Sequence, residues 1–175
     1  KISNLVNKAV ENGMKGMAIT DHGVMFGIKE FADYCAGVNK KRKADGLEPF
    51  KPILGCEMYV ARHRLQDKVK EHGDNSGYHL IVLAKNYNGY KNLIKLVSKS
   101  WMEGYYYRPR TDRVELEKYH EDLIVCSACI AGEVPSKIIK DDLEGAREAC
   151  EWYHRVFGDD YYLELQRHEG KDPTI

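Results

Sequence analysis

The sequence contains no apolar run close to the roughly 20 residues that a membrane-spanning helix needs, and it opens without the pattern of a secretory signal peptide. It also contains no internal repeat and no low-complexity segment. Hydrophobic residues make up 43% and charged residues 31% of the chain, which is typical of soluble globular proteins. We therefore expect one globular domain, residues 1–175, long enough to form a sizeable core.

An excess of charge of either sign is also missing. The chain has 27 basic and 27 acidic residues, so its formal net charge at pH 7 is zero. A strongly basic protein attracts nucleic acid through its overall field, and this sequence has no such field. Any contact with nucleic acid is therefore expected to be local.

The cysteines do not form a disulfide pattern. They are five in number, irregularly spaced, and located at Cys35, Cys56, Cys126, Cys129 and Cys150. An odd, irregular set without a secretory signal favours a reducing compartment, so we expect a cytoplasmic protein. A CxxC zinc knuckle is disfavoured too, because Cys126 and Cys129 would face opposite sides of a strand and no second ligand pair follows.

Helical and extended hydrophobic patterns alternate along the chain. The predicted helices span 3–13, 24–44, 87–101, 114–119, 133–140 and 142–156, and the predicted strands span 17–21, 51–60, 78–86, 122–132 and 160–168. The long second helix is expected to turn Phe26, Phe31 and Val38 inward, and Trp101 is expected to anchor the core. Five strands interleaved with helices predict an α/β domain with a largely parallel sheet.

One pair of strands is expected to be antiparallel. The polar stretch 61–77 carries no helical repeat, so it predicts a hairpin whose connection is a long, mobile, basic loop. A strand 78–86 that returns beside 51–60 places His79 opposite the region just past Glu57. Both side chains then lie at the same end of the sheet.

Potential metal ligands occur inside or at the ends of these apolar stretches. They are Asp21 and His22, Glu57, His79, Cys129, and Glu164 with His168. A buried ionisable group is costly unless it is paired or binds a metal, and several in one chain indicate a shared site. His, Glu and Cys side chains are suitable ligands for zinc or manganese.

For some of these residues the sequence leaves two interpretations open. Asp21 could orient a histidine ligand or cap the following helix. Glu164 could line the site or pair with Arg167. The segment "YYYRPR" contains Tyr106, Arg108 and Arg110, which could contact single-stranded DNA. In the favoured interpretation the tyrosines pack a loop against the rest of the domain and Arg110 pairs with an acid.

Five segments together resemble one family. They read "GMKGMAITDHGVMFGIKEF", "PILGCEMYV", "YHLIVLAKNYNGYKNLIKLVSKS", "YYRPRTD" and "CSACIAGEVP". In this order they resemble the polymerase and histidinol phosphatase (PHP) domain, and within it the branch joined to bacterial replicative polymerases. The resemblance implies a distorted (β/α)7 TIM-like barrel with a metal cluster at the carboxyl ends of its strands. It also implies metal-dependent phosphoester hydrolysis, which in this branch is 3′→5′ trimming of DNA.

The resemblance assigns metal ligands residue by residue. His22 in "TDH", Glu57 in "GCE", His79 in "YHL" and Cys129 in "SAC" match the family's metal motifs. The family's early His-x-His and late Asp-x-His motifs are not found in the sequence, so it holds four of about nine expected ligands. We therefore expect a fragment of the barrel, incomplete at both ends and cut from a longer chain, that is inactive alone.

The resemblance also implies cofactors and partners. The expected cofactors are divalent metals, with zinc or manganese in this site and magnesium in the polymerase. The expected partners are a DNA primer-template and other replisome subunits, with no membrane. Two other functions stay open, a non-catalytic platform that docks replisome subunits and a free-standing phosphatase of the same family.

Overall fold

The computed structural model describes residues 1–69 and 76–166. The helices are α1 (Ile2–Glu11), α2 (Ile28–Ala44), α3 (Tyr87–Met102), α4 (Arg113–Lys118), α5 (Glu133–Ile139) and α6 (Leu143–Phe157). The strands are β1 (Gly16–His22), β2 (Lys51–Val60), β3 (Tyr78–Ala84), β4 (Tyr105–Tyr106), β5 (Arg108–Thr111), β6 (Leu123–Cys126) and β7 (Tyr161–Tyr162). The prediction of an α/β domain is confirmed.

The seven strands form one sheet around β2. Its order is β4-β5-β2-β3-β6-β7, and β1 also pairs with β2. Strand β1 runs parallel to β2 from Lys51 to Glu57, and β5 continues parallel to β2 at Tyr59 and Val60. Strand β3 is antiparallel to both β2 and β6, which confirms the predicted hairpin. The sheet is therefore mixed rather than largely parallel.

The helices cover one face of the sheet, called here the helical face. Met58, Leu80 and Val82 on this face pack with helical side chains such as Leu93 and Trp152 in the largest hydrophobic cluster. A second cluster joins α1, α2 and the neighbouring part of β1 and β2; its buried members are Val6, Ala9, Phe31, Cys35 and Phe50. The core lies between the sheet and these helices.

The other side of the sheet, called here the open face, is only half-buried. Strand alternation and the pairing register place Ala18, Ile53, Ile81, Leu83 and Ile124 on it, and each is of intermediate exposure. Among the described residues β1 does not pair with β7, so the sheet does not close into a barrel there; the sequence analysis predicted a barrel incomplete at both ends.

The second helix begins later than predicted. It starts at Ile28 instead of residue 24, and Phe26 lies before it with 86% of its surface exposed. The delay follows from Asp21, whose Oδ2 accepts a hydrogen bond from the Gly27 amide at 2.9 Å and fixes the helix entry there. The prediction that Phe26 turns inward is wrong, while Phe31 is buried as expected.

Three strands are shorter than predicted, and β3 by only two residues, since it ends at Ala84. Strand β6 ends at Cys126 because Ala128 adopts a left-handed conformation, with φ of 60°, and the chain turns there. Strand β7 is only Tyr161–Tyr162, residues 163–166 are not extended strand, and Arg167 and His168 lie outside the described residues. The alternative in which Glu164 pairs with Arg167 therefore involves a residue outside them too.

The connection between β2 and β3 is partly described. In residues 61–69 Leu65 is fully buried, and its amide donates to Asp112 Oδ2 at 2.9 Å. Arg64 Nε donates to the same carboxylate oxygen at 2.7 Å. This first part packs on the protein, and residues 70–75 of the predicted mobile loop lie outside the described residues.

No helix in the described ranges has the length and apolar character needed to traverse a membrane.

Candidate metal centre

The pairing register brings three predicted ligands to one end of the open face. His22 is the last residue of β1 and lies directly opposite Glu57 of β2. His79, near the start of β3, lies opposite Tyr59, two residues past Glu57. Because residues paired across strands share a face, all three side chains lie on the open face. The hairpin thus has the consequence predicted from the sequence.

Glu57 is the centre of this group. Its Oε2 lies 2.8 Å from His22 Nε2, within ion-pair distance, and its Oε1 accepts a hydrogen bond from His79 Nδ1 at 3.1 Å. The Glu57 side chain is 11% exposed and that of His22 is 71% exposed. The Glu57 carboxylate is therefore nearly buried, while His22 is open to solvent.

Cys129 completes the group from the turn after β6. Its Sγ lies 3.6 Å from His79 Nδ1. The turn is fixed to β3, because the His79 amide donates to the carbonyl of Ala131 at 3.0 Å. The Gly132 amide closes the turn on the Cys129 carbonyl at 2.8 Å. The structure thus brings Cys129, and not Cys126, to the histidine.

Gly132 is required by close packing in this turn. A Cβ at Gly132 would lie 2.0 Å from the Ser127 carbonyl oxygen, a distance that forces the backbone to move. We expect Gly132→Ala to destabilise the protein by about 1–3 kcal/mol and to weaken metal binding by displacing Cys129. Urea unfolding and metal titration would measure the two effects. Gly37→Ala is the matched control, since nothing lies within 4 Å of its added methyl group; equal behaviour of the two variants would contradict the prediction.

The donor atoms fit a divalent metal. Glu57, His79 and Cys129 each offer one ligand atom, and these atoms lie within 4.8 Å of one another. Donors about 2.0–2.3 Å from a tetrahedral zinc are about 3.3–3.8 Å apart, close to the 3.1 and 3.6 Å contacts at His79 Nδ1. Imidazole, carboxylate and thiolate are also the donor types that zinc takes in proteins. The residues present therefore fit such an ion, with His22 on the open side.

The two weaker candidates lie apart from the donor group. Asp21 binds the Gly27 amide through its side chain, which matches the helix-entry interpretation of this residue. Glu164 is exposed; its amide donates to Ser127 Oγ at 2.8 Å, and its carboxylate accepts from Gln166 at 2.6 Å. Neither carboxylate is among the three grouped donors.

The three predicted DNA-contact residues have different surroundings. Arg110 is fully buried and donates to the carbonyls of Leu65, Asp67 and Gly104 at 2.9–3.1 Å. Its guanidinium also lies 5.2 Å from the centre of the half-buried Tyr106 ring. Arg110 thus packs the loop through carbonyl acceptors, where the favoured interpretation expected pairing with an acid. Arg108 is exposed and lies over the Tyr59 ring, at 5.6 Å from its centre.

The sequence did not identify Tyr59 as part of the site. Its ring meets the His79 ring edge-on, with centroids 5.2 Å apart. Burial raises the pKa of the Tyr59 phenol, the nearby Arg108 lowers it, and Glu57 raises it further. The phenol therefore interacts electrostatically with both Arg108 and Glu57. Strand alternation was the available signal, because Tyr59 is two residues after Glu57 and must share its face.

Glu133 is a second residue that the sequence analysis missed. It begins α5 directly after the Cys129 turn and is 8% exposed. Its Oε1 accepts from Arg113 at 2.8 Å, and its Oε2 accepts from the Tyr153 hydroxyl at 3.4 Å. The buried Glu133 carboxylate thus joins α4, α5 and α6 behind the turn. No local pattern in the sequence predicts such long-range contacts.

Cys56, next to Glu57, is on the helical face and is fully buried. Burial is the main reason that its pKa is raised to about 12, so the thiol is protonated at neutral pH. We expect Cys56 to resist iodoacetamide at pH 8 in the native protein and to react after denaturation. Peptide mass spectrometry would show this, and equal labelling in both states would contradict it.

Comparisons with known proteins agree with this geometry. Residues 1–168 match the PHP domain family. The chain is 46% identical over 175 residues to the DNA polymerase III subunit alpha of Borreliella burgdorferi, covering all of this chain and 14% of that protein. Over 168 residues it is 40% identical to the subunit of the same name from Treponema pallidum, covering 95% of this chain and 14% of that protein.

A third relative comes from another bacterium. The DNA polymerase III subunit alpha of Thermus aquaticus is 39% identical over 153 residues, covering 87% of this chain and 12% of that protein. The chain therefore spans 14% or less of the length of these three relatives. A match over residues 1–168, together with the His, Glu and Cys donors gathered at one end of the sheet, shows that this chain belongs to the PHP domain family.

Proposed function

We propose that this chain is the PHP domain of a bacterial replicative DNA polymerase subunit and that its site is a metal-dependent phosphoesterase. The proposed reaction is 3′→5′ trimming of DNA. The observation that carries the proposal is the bridge from Glu57 to His22 and His79, with Cys129 beside His79. Two imidazoles and a thiol around one buried carboxylate are donor types of protein metal sites, and this supports a metal-dependent reaction.

The four side chains have distinct roles in this proposal. Glu57, His79 and Cys129 would hold a divalent metal against the sheet, and the exposed His22 would be a further ligand on the solvent side. A bound divalent metal supplies Lewis-acid chemistry, lowering the pKa of a coordinated water and neutralising phosphodiester oxygens. Thiolate and imidazole favour zinc, and the carboxylate also suits manganese. Magnesium is the expected ion of the polymerase reaction itself.

The half-buried open face supports a larger barrel. Ile53, Ile81 and Ile124 are apolar but only partly covered, and all helices that pack on the sheet lie on its other side. We propose that further strands of the longer protein cover this face and close a distorted (β/α)7 barrel. Those strands would bring the additional ligands that the family resemblance implies, including its His-x-His and Asp-x-His motifs.

The setting of the proposed activity follows from the relatives. Proteins named DNA polymerase III subunit alpha match nearly the whole of this chain, which disfavours a free-standing phosphatase. We propose that the domain works in the cytoplasm, meets a DNA primer-template through the polymerase, and lies among other replisome subunits.

A non-catalytic platform is the second candidate function. The observation that favours it is an apolar groove of about 480 Å³ between residues 24–26, which precede α2, and one side of α3. Phe26 and Met102 at this groove are 86% and 74% exposed. A surface of this kind is typical of a contact with another protein.

A trimming assay separates the two functions. The intact protein would be stripped of metal, supplied with zinc or manganese, and given a 5′-labelled single strand without deoxynucleotides or pyrophosphate. We expect shortening from the 3′ end only when metal is restored, while a circular single strand stays intact. Absence of shortening by folded, metal-loaded protein would exclude the nuclease and favour the platform.

A further inference from the structure

An exposed arginine stands beside the metal centre on an aromatic support. Arg108 lies over the Tyr59 ring, which itself meets the ring of the metal-site residue His79. Tyr59 is only 4% exposed, so the support is rigid. The side chain of Arg108 is therefore held at the rim of the site, two ring contacts from a proposed ligand.

Arg108 has no carboxylate partner in the part of the chain that the structure describes. The ion pairs found there at neighbouring arginines are Arg64 with Asp112 and Arg113 with Glu133. An exposed guanidinium that is fixed by a ring and not neutralised is suited to bind a phosphate. This arrangement differs from that of Arg110, which is buried among carbonyl groups.

A stacked aromatic pair lies next to the same rim. The Trp101 indole N–H donates to the carbonyl of Gly23 at 2.8 Å, and Gly23 follows His22 directly. Trp101 stacks on Tyr105, with centroids 5.5 Å apart, and the two residues are 46% and 48% exposed. Trp101 is thus not the buried core anchor that the sequence suggested.

The arginine and the aromatic pair belong to one continuous surface. Pro109 follows Arg108 and pairs with Tyr105 in the β4–β5 ladder. A Cβ at Gly23 would lie 2.7 Å from Pro109 and 3.0 Å from Tyr59, so the hairpin, the Gly23 turn and the Tyr59 support are in close packing. A cation and stacked, half-exposed rings beside each other are the elements that hold single-stranded nucleic acid.

We propose that Arg108 binds a backbone phosphate of single-stranded DNA next to the metal centre, while the Trp101–Tyr105 pair stacks an unpaired base. The inference rests on the proposed phosphodiesterase function and names its specificity determinant. Arg108 binds a phosphate other than the one that is cleaved, so it selects polynucleotides over small esters. Trp101 also lines the neighbouring apolar groove at Phe26, so the two surfaces share this residue.

Photocrosslinking tests the location without any catalysis. A single strand with 5-iodouracil near its 3′ end would be irradiated with the metal-free intact protein, and the crosslinked peptide would be mapped by mass spectrometry. We expect attachment at Trp101 or Tyr105. Attachment only elsewhere, or competition by protein partners and not by unlabelled DNA, would overturn the proposal and assign this surface to a protein contact.

A kinetic comparison tests the role of the arginine. We expect Arg108→Gln to raise the KM for single-stranded DNA about tenfold and to leave kcat, and hydrolysis of bis(p-nitrophenyl) phosphate, unchanged. Arg147→Gln, an exposed arginine on α6, is the matched control. An equal loss on both substrates, or no change on DNA, would overturn the specificity role. If neither substrate is hydrolysed by the wild type, the phosphodiesterase proposal fails, and the crosslinking result still decides whether DNA binds here.

Discussion

Glu57→Gln is expected to abolish metal binding at the site, with at least a hundredfold loss of affinity, and to remove hydrolysis with it. Changes beyond the first ligand shell already cost about 10–100-fold in affinity, and Glu57 lies at the centre of the donor group. The glutamine has nearly the same shape, but it lacks the negative charge and offers N–H groups where an acceptor is needed. Its side chain has a single acceptor oxygen, so it can no longer present an acceptor to both His22 and His79.

Isothermal titration with zinc or manganese would measure this loss, and the trimming assay would follow the activity. Glu117→Gln is the matched control, because Glu117 is exposed near the end of α4 and away from the donor group. Circular dichroism of each variant would confirm the fold. Metal affinity in Glu57→Gln within threefold of the wild type would contradict the assigned centre.

Arg110→Met is expected to lower the free energy of unfolding by about 3 kcal/mol, a larger loss than we expect for Arg108→Met. The substitution removes a fully buried cation and leaves the carbonyls of Leu65, Asp67 and Gly104 without their donors. The hairpin and the loop after β2 meet at these carbonyls, so we expect both to loosen.

Arg108→Met is the control for this experiment, two positions away on the same strand. Arg108 is exposed and binds no carbonyl among the described residues, so its replacement should change the free energy of unfolding by less than about 0.5 kcal/mol. Urea unfolding of both variants would show the contrast. Equal stability of the two proteins would mean that the interior contacts of Arg110 do not hold the hairpin.

The sequence predicted which side chains meet at one end of the sheet, and the reason is physical. His22, Glu57 and His79 stand in or at the ends of apolar strands, and strand alternation with one hairpin is enough to bring them together. Cys129 was favoured over Cys126 by its place near the following glycine, and the turn after β6 brings it to His79.

Features that depend on distant contacts were less predictable. The start of α2 is set by Asp21, six residues before Gly27, and not by the hydrophobic repeat. Arg110 lies in a polar, tyrosine-rich segment of the sequence, and its buried guanidinium donates to carbonyls of two other segments, which no local pattern predicts. The extent of β7 and the open face depend on neighbouring strands, so a local pattern cannot determine them.

The measurement that tests the central claim most directly is X-ray absorption at the zinc edge on the zinc-loaded intact protein. The account predicts one sulfur at about 2.3 Å together with nitrogen and oxygen ligands at about 2.0–2.1 Å. It also predicts that Cys129→Ser removes the sulfur signal, while Cys126→Ser leaves it in place. A shell of nitrogen and oxygen alone, or a sulfur signal that survives in Cys129→Ser, would contradict the centre formed by Glu57, His79 and Cys129.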